Sequence, residues 1–210
     1  MQSLGIVREF LSEMSPIEGV ASLLILINVW LVARRSIWNY AFGIAGVAIY
    51  GWVFFRARLY SDMLLQVFFF VVQLYGWRQW RASEEQTGEV QIERLGWFAR
   101  LNWLVGILFA TLAWGWLMHR FTDAAFPWWD ASVAMISIAA QILMSVRKLE
   151  NWWLWIAADM LSIGLYAAKA LWITTALYAV LLAIAIWGLV RWQRARHGAR
   201  HDPHHLPPRP

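Results

Sequence analysis

The sequence contains no cysteine and few charged residues. Of its 210 residues, 15% are charged and 60% are hydrophobic. Without cysteine the chain can form neither a disulfide nor a Cys-based metal site, and it has no thiol nucleophile. A soluble domain of this length cannot bury so much apolar surface, so the composition predicts an integral membrane protein.

The motifs of common enzyme classes are also absent. The sequence has no HExxH, no GxSxG and no P-loop, and none of its five histidines lies within an apolar segment. An aspartyl intramembrane protease would need two deep carboxyl groups, whereas only Asp159 lies deep and Asp62 lies near a segment end. We therefore expect no enzymatic activity, no cofactor and no metal site. In a membrane protein, a net charge of +5 more often reflects basic residues in the cytoplasmic loops than nucleic-acid binding. Nucleic-acid binding is therefore not expected.

Seven apolar segments are candidates for membrane-spanning helices, although some are short for a full span. Their bounds are 17–33, 37–55, 60–77, 98–118, 131–146, 151–168 and 173–190. With seven spans, thirteen of the 18 basic residues fall on one side of the membrane and five on the other. The positive-inside rule then predicts a periplasmic N-terminus and a cytoplasmic C-terminus. The N-terminal residues lack the basic start of a signal peptide, so we expect them to be retained.

The chain contains a weak internal repeat. Segment 19–82 aligns without gaps on segment 131–194, and this repeat alignment pairs Arg35 with Arg147 and Asn39 with Asn151. It also superposes the segment boundaries and the basic residues between them. The sequence therefore predicts an all-α integral membrane protein with seven transmembrane helices in a 3+1+3 parallel repeat, the SWEET-like arrangement.

The predicted organisation follows from these boundaries. It comprises an N-terminal periplasmic segment (1–16), a first three-helix repeat (17–82), a cytoplasmic linker (83–97), a linking helix (98–118), a periplasmic loop (119–130), a second three-helix repeat (131–192) and a disordered cytoplasmic tail (193–210).

Polar side chains recur near the middle of four predicted spans. A helical rise of about 1.5 Å per residue places Asn28, Gln73, Gln141 and Asp159 near one level, close to the midplane. A carboxylate at the centre of a span costs about 2.5–3.5 kcal/mol on insertion scales, so Asp159 suggests a function. The alternative is that Asn28 and Gln141 only form hydrogen bonds between helices, and that most tryptophans form an interfacial belt.

The candidate substrate-binding residues lie on the second, third, fifth, sixth and seventh spans. They are Asn39, Gln66, Gln73, Gln141, Asn151, Trp152, Trp155, Asp159, Tyr166 and Tyr178.

Three blocks of sequence resemble the PnuC family of nicotinamide riboside transporters. They are WNYAFGIAGVAIYGWVFFRARLYSDMLLQVFFFVVQLYGWRQW (38–80), DAAFPWWDAS (123–132) and ENWWLWIAAD (150–159). The most specific signature is LLQVFFF followed by YGWxxW. The resemblance implies a SWEET-like homotrimer in the inner membrane of a bacterium that moves a vitamin precursor down its gradient. Related groups carry thiamine or flavins.

The chemistry of the candidate residues suits such a substrate. A cation over a tryptophan face gains about 0.5–2 kcal/mol, and asparagine and glutamine can both donate to and accept from an amide or a diol. We expect facilitated diffusion of nicotinamide riboside with alternating access. The alternatives are transport of another vitamin, such as thiamine or riboflavin, and a membrane vitamin receptor or scaffold that does not transport.

Overall fold

A computed structural model describes residues 16–56, 60–122, 125–169 and 172–201. Its seven helices confirm the predicted all-α chain. They are α1 (Pro16–Ala33), α2 (Asn39–Arg56), α3 (Tyr60–Thr87), α4 (Trp97–Phe121), α5 (Pro127–Ser145), α6 (Asn151–Ala168) and α7 (Trp172–His201). Within the described residues, the β-type pairing is a single bridge between Glu93 and Lys148.

Two helices extend beyond the spans predicted for them. Helix α3 continues to Thr87, within the segment predicted as a linker from residue 83. Helix α7 continues to His201, so the disordered tail expected from residue 193 is instead helical as far as that residue. Arginine, glutamine, glutamate and alanine dominate both extensions, and these residues favour helix even outside a membrane. The predicted N-terminal segment up to residue 15, and the tail from residue 202, lie outside the described residues.

Six of the helices close a ring. Helices α1, α2 and α3 pack in sequence, as do α5, α6 and α7, while contacts of α1 with α7 and of α3 with α5 join the two groups. Helix α4 packs on α5, outside the ring.

The surface of α4 is apolar and exposed. Gly115 is its buried residue, whereas Phe109 is 68% exposed. By length and composition alone, two helices of the described chain are able to cross a membrane, Trp97–Phe121 and Thr174–Gly198. A buried core helix would pass the same test, but an apolar helix that is this exposed is expected only where hydrocarbon or another protein covers it.

The two junctions that close the ring use the same hydrogen bond. Trp80 Nε1 donates to the carbonyl oxygen of Met144, and Trp192 Nε1 donates to that of Val32, both at 3.1 Å. The repeat alignment pairs Trp80 with Trp192, and it also pairs Val32 with Met144. Each tryptophan is fully buried and belongs to one group of helices, while its acceptor lies in the last turn of a helix of the other group.

The α1–α2 and α5–α6 turns are also alike. Arg35 and Arg147, one in each turn, both have φ of 60°, the left-handed region that few residues other than glycine adopt. The amide nitrogen of Asn39 donates to the carbonyl oxygen three residues earlier at 2.7 Å, and that of Asn151 does the same at 2.6 Å. The two turns therefore share their backbone conformation and their side-chain hydrogen bond.

The segment between α3 and α4 is held against these two turns by ion pairs. Arg35 pairs with Glu89 at 3.0 Å, and Arg147 pairs with Glu93 at 3.2 Å. Lys148 also pairs with Glu93. The hydrogen bond from Lys148, together with the positive charges of Lys148 and Arg147, holds the pKa of Glu93 below its ordinary value of 4.5.

We expect Trp80→Phe and Trp192→Phe to destabilise the protein to a similar extent. Each change leaves a buried carbonyl with one hydrogen bond fewer, a loss of about 1–3 kcal/mol. The measurement is the thermal unfolding temperature in detergent, followed by tryptophan fluorescence. Trp97→Phe is the control, because Trp97 is 73% exposed at the start of α4. Unchanged unfolding temperatures for both ring variants would contradict the importance of these bonds.

The stabilisation by Glu93 should depend on pH. Because its pKa is lowered in the folded protein, the contribution is present above pH 4.5 and is lost as the pH falls through the lowered pKa. Since the side chain is 48% exposed, we expect Glu93→Gln to cost at most about 1 kcal/mol at neutral pH. The difference in unfolding temperature between wild type and variant should shrink as the pH falls below 4.5 and through the lowered pKa. A difference that persists there would show that the ion pairs do not cause it.

Candidate substrate site

Two amide side chains meet over a glycine inside the first three helices. A Cβ atom placed on Gly43 of α2 would lie 2.0 Å from Gln73 Oε1 and 2.6 Å from Asn28 Nδ2. Only a glycine leaves room for both groups at this position. Asn28 Nδ2 donates to the backbone oxygen of Asn39 at 2.8 Å, so Asn28 makes the interhelical hydrogen bond that was its alternative role.

Several buried polar atoms in the described residues have no hydrogen-bond partner. They are Tyr40 Oη, Gln73 Oε1, Gln141 Nε2, Asn151 Oδ1, Trp152 Nε1 and Ser162 Oγ. Leaving such an atom unpaired costs about 1–3 kcal/mol, so each one needs an explanation such as a bound water or a ligand. All six belong to helices of the ring.

A carboxyl group and two tyrosines line the other side of the ring. Asp159 of α6 is buried, 4% exposed, and it lies within electrostatic reach of the Tyr178 hydroxyl on α7. The ring of Tyr178 stacks on that of Tyr166 at 5.2 Å with 19° between their planes. The ion pairs found in the described residues all lie outside this cluster. Asp159 is therefore a buried carboxyl group without a basic protein partner there.

The polar groups occupy two levels rather than the single level expected from the sequence. At a rise of about 1.5 Å per residue, Gly43 lies about 6 Å from the start of α2, and Gln141 about 6 Å from the end of α5. Trp155 lies about 6 Å, and Asp159 about 12 Å, from the start of α6. The start of α2, the end of α5 and the start of α6 all lie beside the segment between α3 and α4. Asp159 is therefore about one helical turn farther from this segment than the amides are.

Three predicted site residues lie at the helix starts, where they have local contacts. The amide nitrogens of Asn39 and Asn151 are engaged by their own turns, as described above. Trp152 is fully buried and packs edge-to-face on Trp192 at 5.6 Å. Its indole lies where a Cβ atom on Gly188 would otherwise be. These contacts tie the three residues to the ring, while Asn151 Oδ1 and Trp152 Nε1 remain without a partner.

Gln66 and Trp155 are the remaining predicted residues. Gln66 is partly buried against Gly51 of α2, with its Cβ atom 3.5 Å from the Cβ position of that glycine. Trp155 is partly buried on the edge of the aromatic core, one turn before Asp159. The structure thus brings together Gln73 with Asn28, and Asp159 with Tyr166 and Tyr178.

The candidate set omitted Asn28, Ser162 and Tyr40, which are buried. Asn28 was recognised as a polar residue near the midplane but was left out of the set. Tyr40 was not recognised, although the repeat alignment pairs it with Trp152. Its ring packs edge-to-face on Trp80 at 5.4 Å, as that of Trp152 does on Trp192. The internal repeat was the signal that could have identified it.

Two grooves lie on the outside of the ring, away from these polar groups. One of about 270 Å³ runs between α4 and α5 and includes Asn102 and Met135. The other, of about 520 Å³, runs between α1 and α7. Both are lined mainly by apolar side chains.

Comparison with known proteins identifies the family. The family described as nicotinamide mononucleotide transporter matches residues 15–194. The nicotinamide riboside transporter PnuC of Escherichia coli (strain K12) is 31% identical over 205 residues, which cover 86% of each chain. This chain belongs to the PnuC family. The resemblance found in the three sequence blocks is therefore confirmed, and the chain is a multi-pass membrane transporter rather than an enzyme.

Further similar proteins extend the comparison. The nicotinamide riboside transporter PnuC of Neisseria mucosa is 28% identical over 194 residues, covering 84% of this chain and 71% of that protein. The riboflavin/roseoflavin transporter RibM of Streptomyces davaonensis is 26% identical over 186 residues, 86% of each chain. A crystal structure of the vitamin B3 transporter PnuC has a TM-score of 0.73 and 26% identity, covering 95% of this chain and 89% of that one.

We expect Gly43→Ala to weaken substrate binding by about tenfold or more. The new methyl group must displace the Gln73 amide, so the substrate would lose at least one hydrogen bond. Gly106→Ala on α4 is a matched control, since a Cβ atom there meets nothing within 4 Å. Binding calorimetry with nicotinamide riboside measures the effect. Equal affinities for wild type and Gly43→Ala would place the substrate elsewhere.

Proposed function

We propose that this protein carries nicotinamide riboside across a bacterial inner membrane by facilitated diffusion. The observation that supports this most is a set of buried polar groups in the described ring helices: Gln73 Oε1 and Gln141 Nε2, which have no hydrogen-bond partner, and the Asp159 carboxyl group. Gln73 offers an acceptor atom and Gln141 a donor. A substrate carboxamide has both a donor and an acceptor, so it complements this pair.

The charge of the region favours the riboside over the mononucleotide in the family description. Nicotinamide riboside carries a cationic pyridinium ring, whereas the mononucleotide adds a phosphate. Helices α1, α5 and α6 contain no lysine or arginine, and α2 has only Arg56, at its end. A phosphate at the level of Asp159 would therefore lack a cation from these helices. A pyridinium ring could instead lie over the Trp155 face and near the Asp159 carboxyl group.

Riboflavin is the second candidate substrate. The similarity to the riboflavin/roseoflavin transporter RibM favours it. A flavin is uncharged and much wider than a pyridinium ring, so it gains less from Asp159 and needs more space. Thiamine, also a cation, is the other vitamin that the resemblance suggested. Binding of any of these without flux would instead favour a receptor.

The proposed mechanism is alternating access by rocking of two three-helix halves in a 3+1+3 parallel repeat. The recurrence of the tryptophan bonds and of the two turns at equivalent positions of the repeat alignment supports this arrangement. Facilitated diffusion is supported by the lack of a nucleotide-binding motif in the sequence and by the presence of a single deep carboxyl group. The surplus of basic residues supports a periplasmic N-terminus and a cytoplasmic C-terminus. A homotrimer is proposed from the family resemblance.

We expect Asp159→Asn to lower the apparent affinity for nicotinamide riboside by about tenfold or more, since hydrogen bonds and contacts to charged groups are worth about 1.5–3 kcal/mol. Glu85→Gln is the control, because Glu85 pairs with Arg81 at 2.8 Å on the exposed end of α3, away from the site. The measurement is uptake of labelled nicotinamide riboside into proteoliposomes, with riboflavin and thiamine as parallel substrates.

The outcomes separate the hypotheses. Flux of nicotinamide riboside that requires Asp159 but no ion gradient supports the proposal. If riboflavin crosses the membrane while the flux of nicotinamide riboside is no greater than in empty liposomes, the substrate is riboflavin instead. Flux abolished by removal of a proton gradient would exclude facilitated diffusion.

A further inference from the structure

The groove between α1 and α7 has an aromatic wall on each helix. Trp30 of α1 and Trp187 of α7 line it, and Ala179 and Ala183 lie among the residues between them. Both tryptophans are about two-fifths exposed, 42% and 37%. In a membrane, a groove of this kind on the outer surface of a helix bundle faces acyl chains rather than water.

A guanidinium group covers each of these tryptophans. The Arg34 guanidinium carbon lies 4.6 Å from the Trp30 ring centroid, and that of Arg191 lies 5.0 Å from the Trp187 ring centroid. The hydrogen bond from Trp192, next to Arg191, to the Val32 carbonyl brings the two helices to the same height here. The ion pairs of the described residues involve other basic side chains, so both guanidiniums are available to an outside anion.

The opposite junction of the ring has no arginine at the two equivalent positions. The repeat alignment places Val146 at the position of Arg34 and Gln79 at that of Arg191. The tryptophan hydrogen bond is present at both junctions, but the two arginines occur only at the α1–α7 junction. Closing the ring therefore does not require the arginine pair.

We propose that the α1–α7 groove binds an anionic phospholipid. The two arginines hold its phosphate, and one acyl chain lies in the groove between Trp30 and Trp187. Arginine matches phosphate geometry with its planar fork of donors, and basic groups between transmembrane helices at the membrane surface bind anionic headgroups. The apolar groove is complementary to an acyl chain of this lipid, and the two unpaired cations above it are complementary to the phosphate.

The experiment is native mass spectrometry of the full-length protein titrated with phosphatidylglycerol and, separately, with phosphatidylcholine of the same acyl chains. We expect phosphatidylglycerol to bind more tightly than phosphatidylcholine. The affinity for phosphatidylglycerol should fall by about a few-fold for each arginine replaced, and by at least about tenfold in the double variant Arg34→Gln/Arg191→Gln. Arg78→Gln is the control, since Arg78 is an exposed arginine on α3 beside the junction without the pair.

A second variant tests the groove while leaving the charges in place. Ala183→Phe fills the space between the tryptophan walls, so it should weaken phosphatidylglycerol binding, whereas inorganic phosphate should not compete with the lipid in the wild type. Equal affinities for the two lipids, or an equal loss in Arg78→Gln, would overturn the proposal. Competition by inorganic phosphate together with wild-type lipid affinity in Ala183→Phe would overturn the acyl-chain site.

Discussion

The structure depends on one constraint, that a polar group surrounded by hydrocarbon must find its hydrogen-bond partner within the protein. The two tryptophan indoles meet this constraint where the ring closes, because each donates to a carbonyl of the other group of helices. The amide nitrogens of Asn39 and Asn151 meet it at the turns. The polar atoms that remain without partners lie on the ring helices, and for this reason we connect them with the substrate.

The scaffold and the proposed site differ in how they use the internal repeat. The residues that hold the ring together recur, as with Trp80 and Trp192. The polar residues of the site do not recur: the repeat alignment pairs Gln73 with Ala185, and Asp159 with Val47. The tryptophan bonds and the turns are thus alike in the two groups of helices, whereas the residues of the proposed site differ between them.

Much of this could be predicted from the sequence, because hydrocarbon imposes strong patterns on it. Long apolar segments predicted the seven helices, and the rarity of a deep carboxylate singled out Asp159. The pattern could not show where a side-chain amide points. It did not show, for example, that the nitrogens of Asn39 and Asn151 bind their own turns. The ends of α3 and α7 were also missed, since helix continues beyond the apolar segments there.

The most direct test of the account is a structure of the protein with nicotinamide riboside bound. We predict the carboxamide of the ligand within hydrogen-bonding distance of the side chains of Gln73 or Gln141, with the pyridinium ring beside Trp155 and Asp159. A ligand bound outside the ring, for example in the groove between α4 and α5, would contradict the claim that the unpaired polar groups of the ring form the substrate site.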